Sequence, residues 1–270
     1  MGKNMRNGCN NDVCADAMAI KGVLENMSDM SSFFAVYQPI IDYGQEKKIV
    51  GFEALARLKH KKHGTIYPAK FIPVISQMGK LNQLSYRIIS EAIQFVVDYN
   101  HRNNTDVFVS LNISPNQISD SCFVKDITRI VGDVPSIKNK ITIEITEEFE
   151  SFMSNSFIQN IRKLRRSGFK VALDDFGSGF FSLISIVELT YDYLKIDKKT
   201  VARVSNNKDL KNILSSFVRY CNSNNITVIS EGVETKEQID TLMDLNINIY
   251  QGYYFSQPIR YVKALDYTCC

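Results

Sequence analysis

The sequence has little excess charge of either sign: 32 basic residues stand against 29 acidic ones, for a formal charge of +3. That balance gives no basis for a polyanion-binding or lipid-binding surface, so neither DNA or RNA polymers nor a membrane is an expected partner. Histidine is scarce as well. Its three copies (His60, His63, His101) never adjoin an Asp, which argues against a histidine-rich metal site. The six cysteines (Cys9, Cys14, Cys122, Cys221, Cys269, Cys270) form no Cys-x-x-Cys unit. A dense disulfide framework and a cysteine-ligated zinc are therefore not expected. No apolar run approaches the ~18 residues of a membrane span. Near the start, Lys3 and Arg6 lead into Asn10, Asn11 and Asp12 rather than into an apolar stretch, so no signal peptide is expected. Arg6 also breaks the myristoylation pattern, and the Cys269-Cys270 ending is not a prenylation box. A reducing cytoplasm is the expected location. Repeats and low-complexity tracts are absent.

What is present suits a soluble globule: 44% of the 270 residues are hydrophobic and 23% charged, enough to bury a sizeable core. The length fits one large α/β domain. Residues 1–30, rich in Asn, Met and Asp, read as a lead-in that is disordered or a short helix. The domain is expected over 31–265, with a tail at 266–270. Short β-branched runs then alternate with amphipathic stretches, the pattern of a parallel α/β architecture. Strands are predicted at 34–40, 48–57, 106–112, 140–146, 169–174, 192–196, 225–231 and 247–251. Helices are predicted at 68–78, 83–100, 119–131, 152–167, 207–223 and 235–245. Ser154 or Ser156 suits a helix cap, and Thr235 with Glu237 and Gln238 marks another helix start. Eight strands suggest a closed barrel. The basic stretches 59–63 and 162–166 read as a solvated loop and a solvated helix face.

Chemistry is suggested by polar residues placed against the grain of the strands. In Ile141-Thr142-Ile143-Glu144-Ile145-Thr146 the isoleucines share one face and Glu144 lies on the other. If the isoleucines meet the helices, Glu144 enters the barrel, where an unpaired carboxylate costs several kcal/mol. Other strands end in Asn112, Asp174-Asp175 and Glu231, and Lys195 adds a cation at the end of another. Glu53 shares a strand face with Arg57. A single strand-end acid is ordinarily a cap or a salt-bridge partner. Several carboxylates and one amide at the end where barrels build active sites describe instead a site for hard divalent ions, Mg²⁺ or Mn²⁺. Two such ions clamp the attacking and leaving oxygens in a displacement at phosphorus, which makes phosphodiester hydrolysis the natural reaction.

Other motifs fail on their neighbours. Gly177-Ser178-Gly179 opens a dinucleotide-binding pattern, but Ser182 stands where its third Gly belongs. Asp175-Phe176-Gly177 spells a kinase triplet without a Gly-rich loop, and His101-Arg102-Asn103 lacks the catalytic Asp.

The chain resembles the EAL family of cyclic di-GMP phosphodiesterases. Glu53-Ala54-Leu55 is the signature tripeptide, set between Tyr37-Gln38-Pro39-Ile40 and Ala56-Arg57. In the family's order there follow Leu111-Asn112-Ile113-Ser114, Glu144-Ile145-Thr146-Glu147, Asp174-Asp175-Phe176-Gly177, Leu194-Lys195-Ile196-Asp197, Glu231-Gly232-Val233-Glu234 and Gln251-Gly252-Tyr253-Tyr254. The resemblance covers about residues 33 to 260. Departures lie outside the ligand positions: Leu58 for a usual Trp, Ser76 for a usual Glu, and Phe180-Phe181 for a usual Tyr-Ser.

This resemblance implies a modified TIM barrel whose early strand runs antiparallel to the rest, with two Mg²⁺ or Mn²⁺ ions at its mouth. Glu53, Asn112, Glu144 and Asp174 would hold one ion, and Asp174, Asp175 and Glu231 the other. Turnover would depend on Lys195, Glu53 and Glu231. Gln38, Leu55, Arg57 and Gln251 would meet the substrate, Arg57 with a donor fork suited to phosphate. Glu147 would steady the loop 176–182. Two cations favour a neutral Lys195 and the carboxylates a charged one, so its role as base or positioner stays open. The implied reaction opens cyclic di-GMP to linear pGpG in bacterial signalling. A catalytically silent cyclic di-GMP receptor is the alternative, and an interaction protein would have lost acids at Glu53, Glu144 or Asp174. A homodimer is compatible with the family.

Overall fold

The computed structural model describes residues 20–22, 30–44, 46–132, 135–146, 154–178, 186 and 189–268. In chain order its strands are β1 (Phe33–Asp42), β2 (Lys48–His60), β3 (Gly64–Ile66), β4 (Phe108–Asn112), β5 (Ile141–Thr146), β6 (Lys170–Phe176), β7 (Tyr193–Ile196), β8 (Thr227–Ser230), β9 (Ile249–Tyr250) and β10 (Ile259–Arg260). The longer helices are α1 (Pro68–Gln77), α2 (Leu81–Asn103), α3 (Ser121–Val131), α4 (Asn155–Arg166), α5 (Lys208–Ser223) and α6 (Lys236–Asp244). Two compact units divide the chain, Met1–Phe34 with Ala56–Ile88 and Ala35–Leu55 with Ile89–Cys270. Among the described residues no helix is long and apolar enough to cross a membrane.

The larger unit is a closed eight-stranded barrel. Its strands follow the order β1-β9-β8-β7-β6-β5-β4-β2, and pairing of β2 with β1 closes the circle. Every neighbour from β2 through β9 is parallel, whereas β1 meets β9 antiparallel, with Ile41 opposite Tyr250. The expected modified barrel with one antiparallel strand is therefore the observed fold. All eight predicted strands lie in it. β10 adds outside that circle, antiparallel to β1.

Alternation sorts the two faces of the barrel wall. Ile141, Ile143 and Ile145 are at most 1% exposed, and the helices that follow the strands are amphipathic to match. In α4 the buried residues Phe157, Asn160, Ile161 and Leu164 recur at helical spacing, and Ser154 accepts from the Phe157 amide to cap the start. α6 opens with a full capping box between Thr235 and Gln238.

The interior is layered. Ile40, Phe108 and Ile229 fill one end with Val50, Tyr193 and Ile249 packed against them, and the Phe108 and Tyr193 rings stack at 4.9 Å. This packing needs a neighbour without a side chain. A Cβ on Gly51 would lie 2.6 Å from the Phe108 ring. At the start of β7, Asp192 accepts from Lys170 Nζ (2.9 Å), Arg165 Nη2 (3.3 Å) and the Val171 amide (3.0 Å), tying that end of the wall together.

The smaller unit refines one sequence expectation. Lys61, Lys62 and His63 form the expected solvated turn, whereas Lys59 and His60 finish β2, which passes through that turn and Gly64 at φ +69° into antiparallel β3. The His60 Nδ1 accepts from the amides of Lys62 and His63, a local closure that lets a basic, polar run form a hairpin end. Phe33 packs edge-on against Phe71 of α1 in the same unit.

Gly51→Ala is expected to destabilise the protein by about 1–3 kcal/mol, the usual scale for overpacking a filled core. Urea denaturation measures it. Recovery on adding Phe108→Leu identifies the ring as the cause, and an unchanged midpoint for Gly51→Ala alone would rule out this packing.

Candidate active site

The parallel strands deliver their polar residues to one end of the barrel. Register places Glu53 of β2 opposite Ser110, Asn112 of β4 opposite Glu144, and Thr146 of β5 opposite Asp174. The charged residues of neighbouring strands therefore rise to a common level. Glu231 and Gln251, expected inside strands, instead sit one residue beyond β8 and β9. Their backbones remain in the ladder nonetheless, because the Glu231 amide donates to Ile196 O and the Gln251 amide to Ser230 O.

Lys195 of β7 stands at the centre. Its Nζ lies 2.5 Å from Glu231 Oε1, 2.9 Å from Glu144 Oε1, 3.4 Å from Asp174 Oδ1 and 3.6 Å from Glu53 Oε2. Lys195 has no exposed surface, and Glu144 is 1% exposed. Burial alone would push the lysine's pKa down, but the surrounding Asp174, Glu144, Glu231 and Glu53 carboxylates outweigh it and raise it well above its ordinary value. Without bound cations, the surrounding carboxylates therefore favour the charged form of Lys195.

One ammonium cannot satisfy four carboxylates, three of them buried. Desolvation, opposed by Lys195 and reinforced by the neighbouring acids, holds Glu144 well above the usual carboxylate range, and raises Asp174 as well. Glu231 is pushed up to about 8, chiefly by desolvation, and Asp175 to about 6 by desolvation and then by Asp174. Glu53 is the exception. Burial lifts it, but Lys195 and hydrogen bonds from Gln251 and Asn112 together bring it below its ordinary value. Asn112 Nδ2 donates to Glu53 Oε1 at 2.7 Å and Gln251 Nε2 donates to Oε2 at 2.5 Å. Gln251 in turn donates to Gln38 Oε1 at 3.0 Å, and Gln38 donates to the Ser256 carbonyl at 3.1 Å. This amide relay from β1 to Glu53 was not legible in the sequence, because its last acceptor is a backbone oxygen.

Two left-handed turns aim the remaining acids. The β6 register shifts between Leu173 and Phe176, and Asp175 within that bulge takes φ +57°. Bulges re-aim side chains at active sites, and Asp tolerates this conformation better than most residues. Gly232, directly after Glu231, has φ +62°, and a Cβ there would lie 2.4 Å from Lys198 Cβ. The result is a tight group: one carboxylate oxygen each of Asp174, Asp175 and Glu231 lie within 4.8 Å of one another. Glu144 Oε2 is buried and accepts no hydrogen bond. An all-oxygen donor set with an unused buried lone pair fits a hard divalent cation.

The other expected site residues fall as follows. Leu55 is half-buried two positions after Glu53 on β2. Arg57 belongs to the smaller unit, where its guanidinium lies 4.8 Å from the Tyr67 ring centroid. Glu147 and most of the loop 176–182 lie outside the described residues.

In chelator-treated protein, Glu144→Gln is expected to raise the thermal midpoint. The amide keeps the shape and removes a buried acid whose ionisation the surroundings oppose. A midpoint at or below that of the parent would show that the carboxylate is not under electrostatic strain.

The chain is 31% identical over 229 residues to the Escherichia coli "Probable cyclic di-GMP phosphodiesterase PdeG", spanning 85% of this chain and 45% of that protein. It is 30% identical over 258 residues to the oxygen sensor protein DosP of the same organism, spanning 92% of this chain and 31% of the relative. The chain thus covers less than half the length of either. Among solved structures, the EAL enzyme Bd1971 in its cAMP and cyclic-di-GMP bound form superposes with a TM-score of 0.83 at 27% identity, covering 94% of this chain and 69% of that one. The family profile described as EAL domain matches residues 23–258, and the chain belongs to the EAL domain family.

Proposed function

We propose that the chain hydrolyses cyclic di-GMP to linear pGpG at the carboxylate cluster, with two Mg²⁺ or Mn²⁺ ions. The observation that carries this reading is the convergence of Glu53, Glu144, Asp174 and Glu231 on one buried point, with Asp175 beside them. Family membership supports the substrate, as do the activity named for PdeG and the cyclic-di-GMP bound form of Bd1971.

Glu53, Asn112, Glu144 and Asp174 would hold one ion, and Asp174, Asp175 and Glu231 the other. When bound, the ions supply a Lewis acid for the phosphoryl oxygens and lower the pKa of the attacking water. The chain's own residues prepare the ground. Asn112 and Gln251 fix both oxygens of Glu53 before any ligand arrives, which limits reorganisation during the reaction. The Lys195 ammonium is a positioner and a source of positive potential for charge developing at phosphorus, rather than a base. Gln38, Leu55, Arg57 and Gln251 are assigned to the substrate and Glu147 to the loop 176–182, on the family resemblance. The same reading takes the chain to be cytoplasmic, specific for a cyclic dinucleotide rather than a nucleic-acid polymer, and compatible with a homodimer.

Purified protein incubated with cyclic di-GMP and Mg²⁺ or Mn²⁺ is expected to release pGpG, resolved by chromatography. Ca²⁺ is not expected to substitute, because its longer and looser coordination would spread the pair. Glu53→Ala should lower turnover by more than about a hundredfold with the barrel still folded, given what losing support costs a metal site. Binding without product under either ion would replace the enzyme reading with that of a receptor.

A further inference from the structure

We infer that Lys195 competes with the divalent ions for the same carboxylates and so sets the affinity of the site for metal. The inference rests on the two-ion reading above and concerns what the ammonium does to it. Four carboxylates that would serve the ions already face Lys195 Nζ within 3.6 Å. The ammonium cannot withdraw when ions bind. Lys195 lies inside the barrel wall on β7, paired in register with Ile229 of β8, and flanked by Leu194 and Ile196, both of which pair across to β6. It has no exposed surface through which solvent or salt could screen it. Glu53, Glu144, Asp174 and Glu231 would therefore each divide their charge between the ions and the same ammonium.

Charge balance gives the arrangement a purpose. The five carboxylates Glu53, Glu144, Asp174, Asp175 and Glu231, one ammonium and two divalent ions sum to zero. The loaded site is then neutral toward an anionic phosphodiester. Without the ammonium it would be negative by one, holding the ions more tightly and repelling the substrate. Lys195 alone pairs with four of these five acids at once. Lys195 thus weakens metal binding in exchange for a receptive site, a role distinct from contact with the reacting atoms.

The test is a Mn²⁺ titration of the parent protein, Lys195→Met and Lys195→Gln, with free Mn²⁺ read by electron paramagnetic resonance. Both variants are expected to bind Mn²⁺ roughly tenfold more tightly or better, since an unscreened positive charge a few ångströms from the ions has been removed. Turnover should fall at the same time, so affinity and activity move in opposite directions, which simple damage to the site would not produce. Equal or weaker binding in both folded variants overturns the inference and leaves the two-ion reading intact. A parent protein that binds no Mn²⁺ at these residues overturns both. Should a variant be unfolded without metal, circular dichroism replaces the resonance signal. Folding driven by Mn²⁺ at or below the parent's dissociation constant supports the competition, and a chain still unfolded at saturating Mn²⁺ contradicts it.

Discussion

The structure depends on one buried ammonium facing four carboxylates, three of them buried. Taking charges out of water costs several kcal/mol for each ion, and a single lysine offsets only part of that for the acids around it. The remainder must be met by the fold. Aliphatic side chains on the outer face of the barrel wall and the Phe108–Tyr193 stack at one end of the interior provide the apolar burial that holds the acids together at the other. Gly51 contributes by having no side chain where the Phe108 ring must lie. A concentration of like charge is a poor way to stabilise a barrel. It is a good way to prepare one for divalent cations, and stability is commonly surrendered at functional sites for this reason.

The fold was legible because its period was simple. Strict alternation in β5 separates Ile141, Ile143 and Ile145 from Glu144, and this one segment orients the whole wall. The helices were readable from helical spacing and from caps such as Ser154 and Thr235. Two features escaped for physical reasons. The hairpin of β2 and β3 is built from a polar, basic run with no alternation, and its closure rests on the His60 ring accepting from backbone amides. β8 and β9 end at Ser230 and Tyr250, just short of Glu231 and Gln251, whose amides still donate to Ile196 O and Ser230 O.

The site was legible as a set of residue types and much less so as a geometry. Acids at strand ends, read together with the family resemblance, identified the ligand candidates. Spacing could not show that Lys195 meets four of them, that Glu53 alone is held by two amides, or that Asp175 takes a left-handed conformation in a bulge. Those are consequences of closure, which brings residues distant in sequence to one level.

The central claim is that this cage collects a pair of divalent ions. Anomalous diffraction from crystals grown with Mn²⁺ tests it most directly. The account predicts two peaks, one bounded by Glu53, Asn112, Glu144 and Asp174 and one by Asp174, Asp175 and Glu231, with Lys195 still buried between the acids. Mn²⁺ absent from both positions at saturating concentration would contradict it.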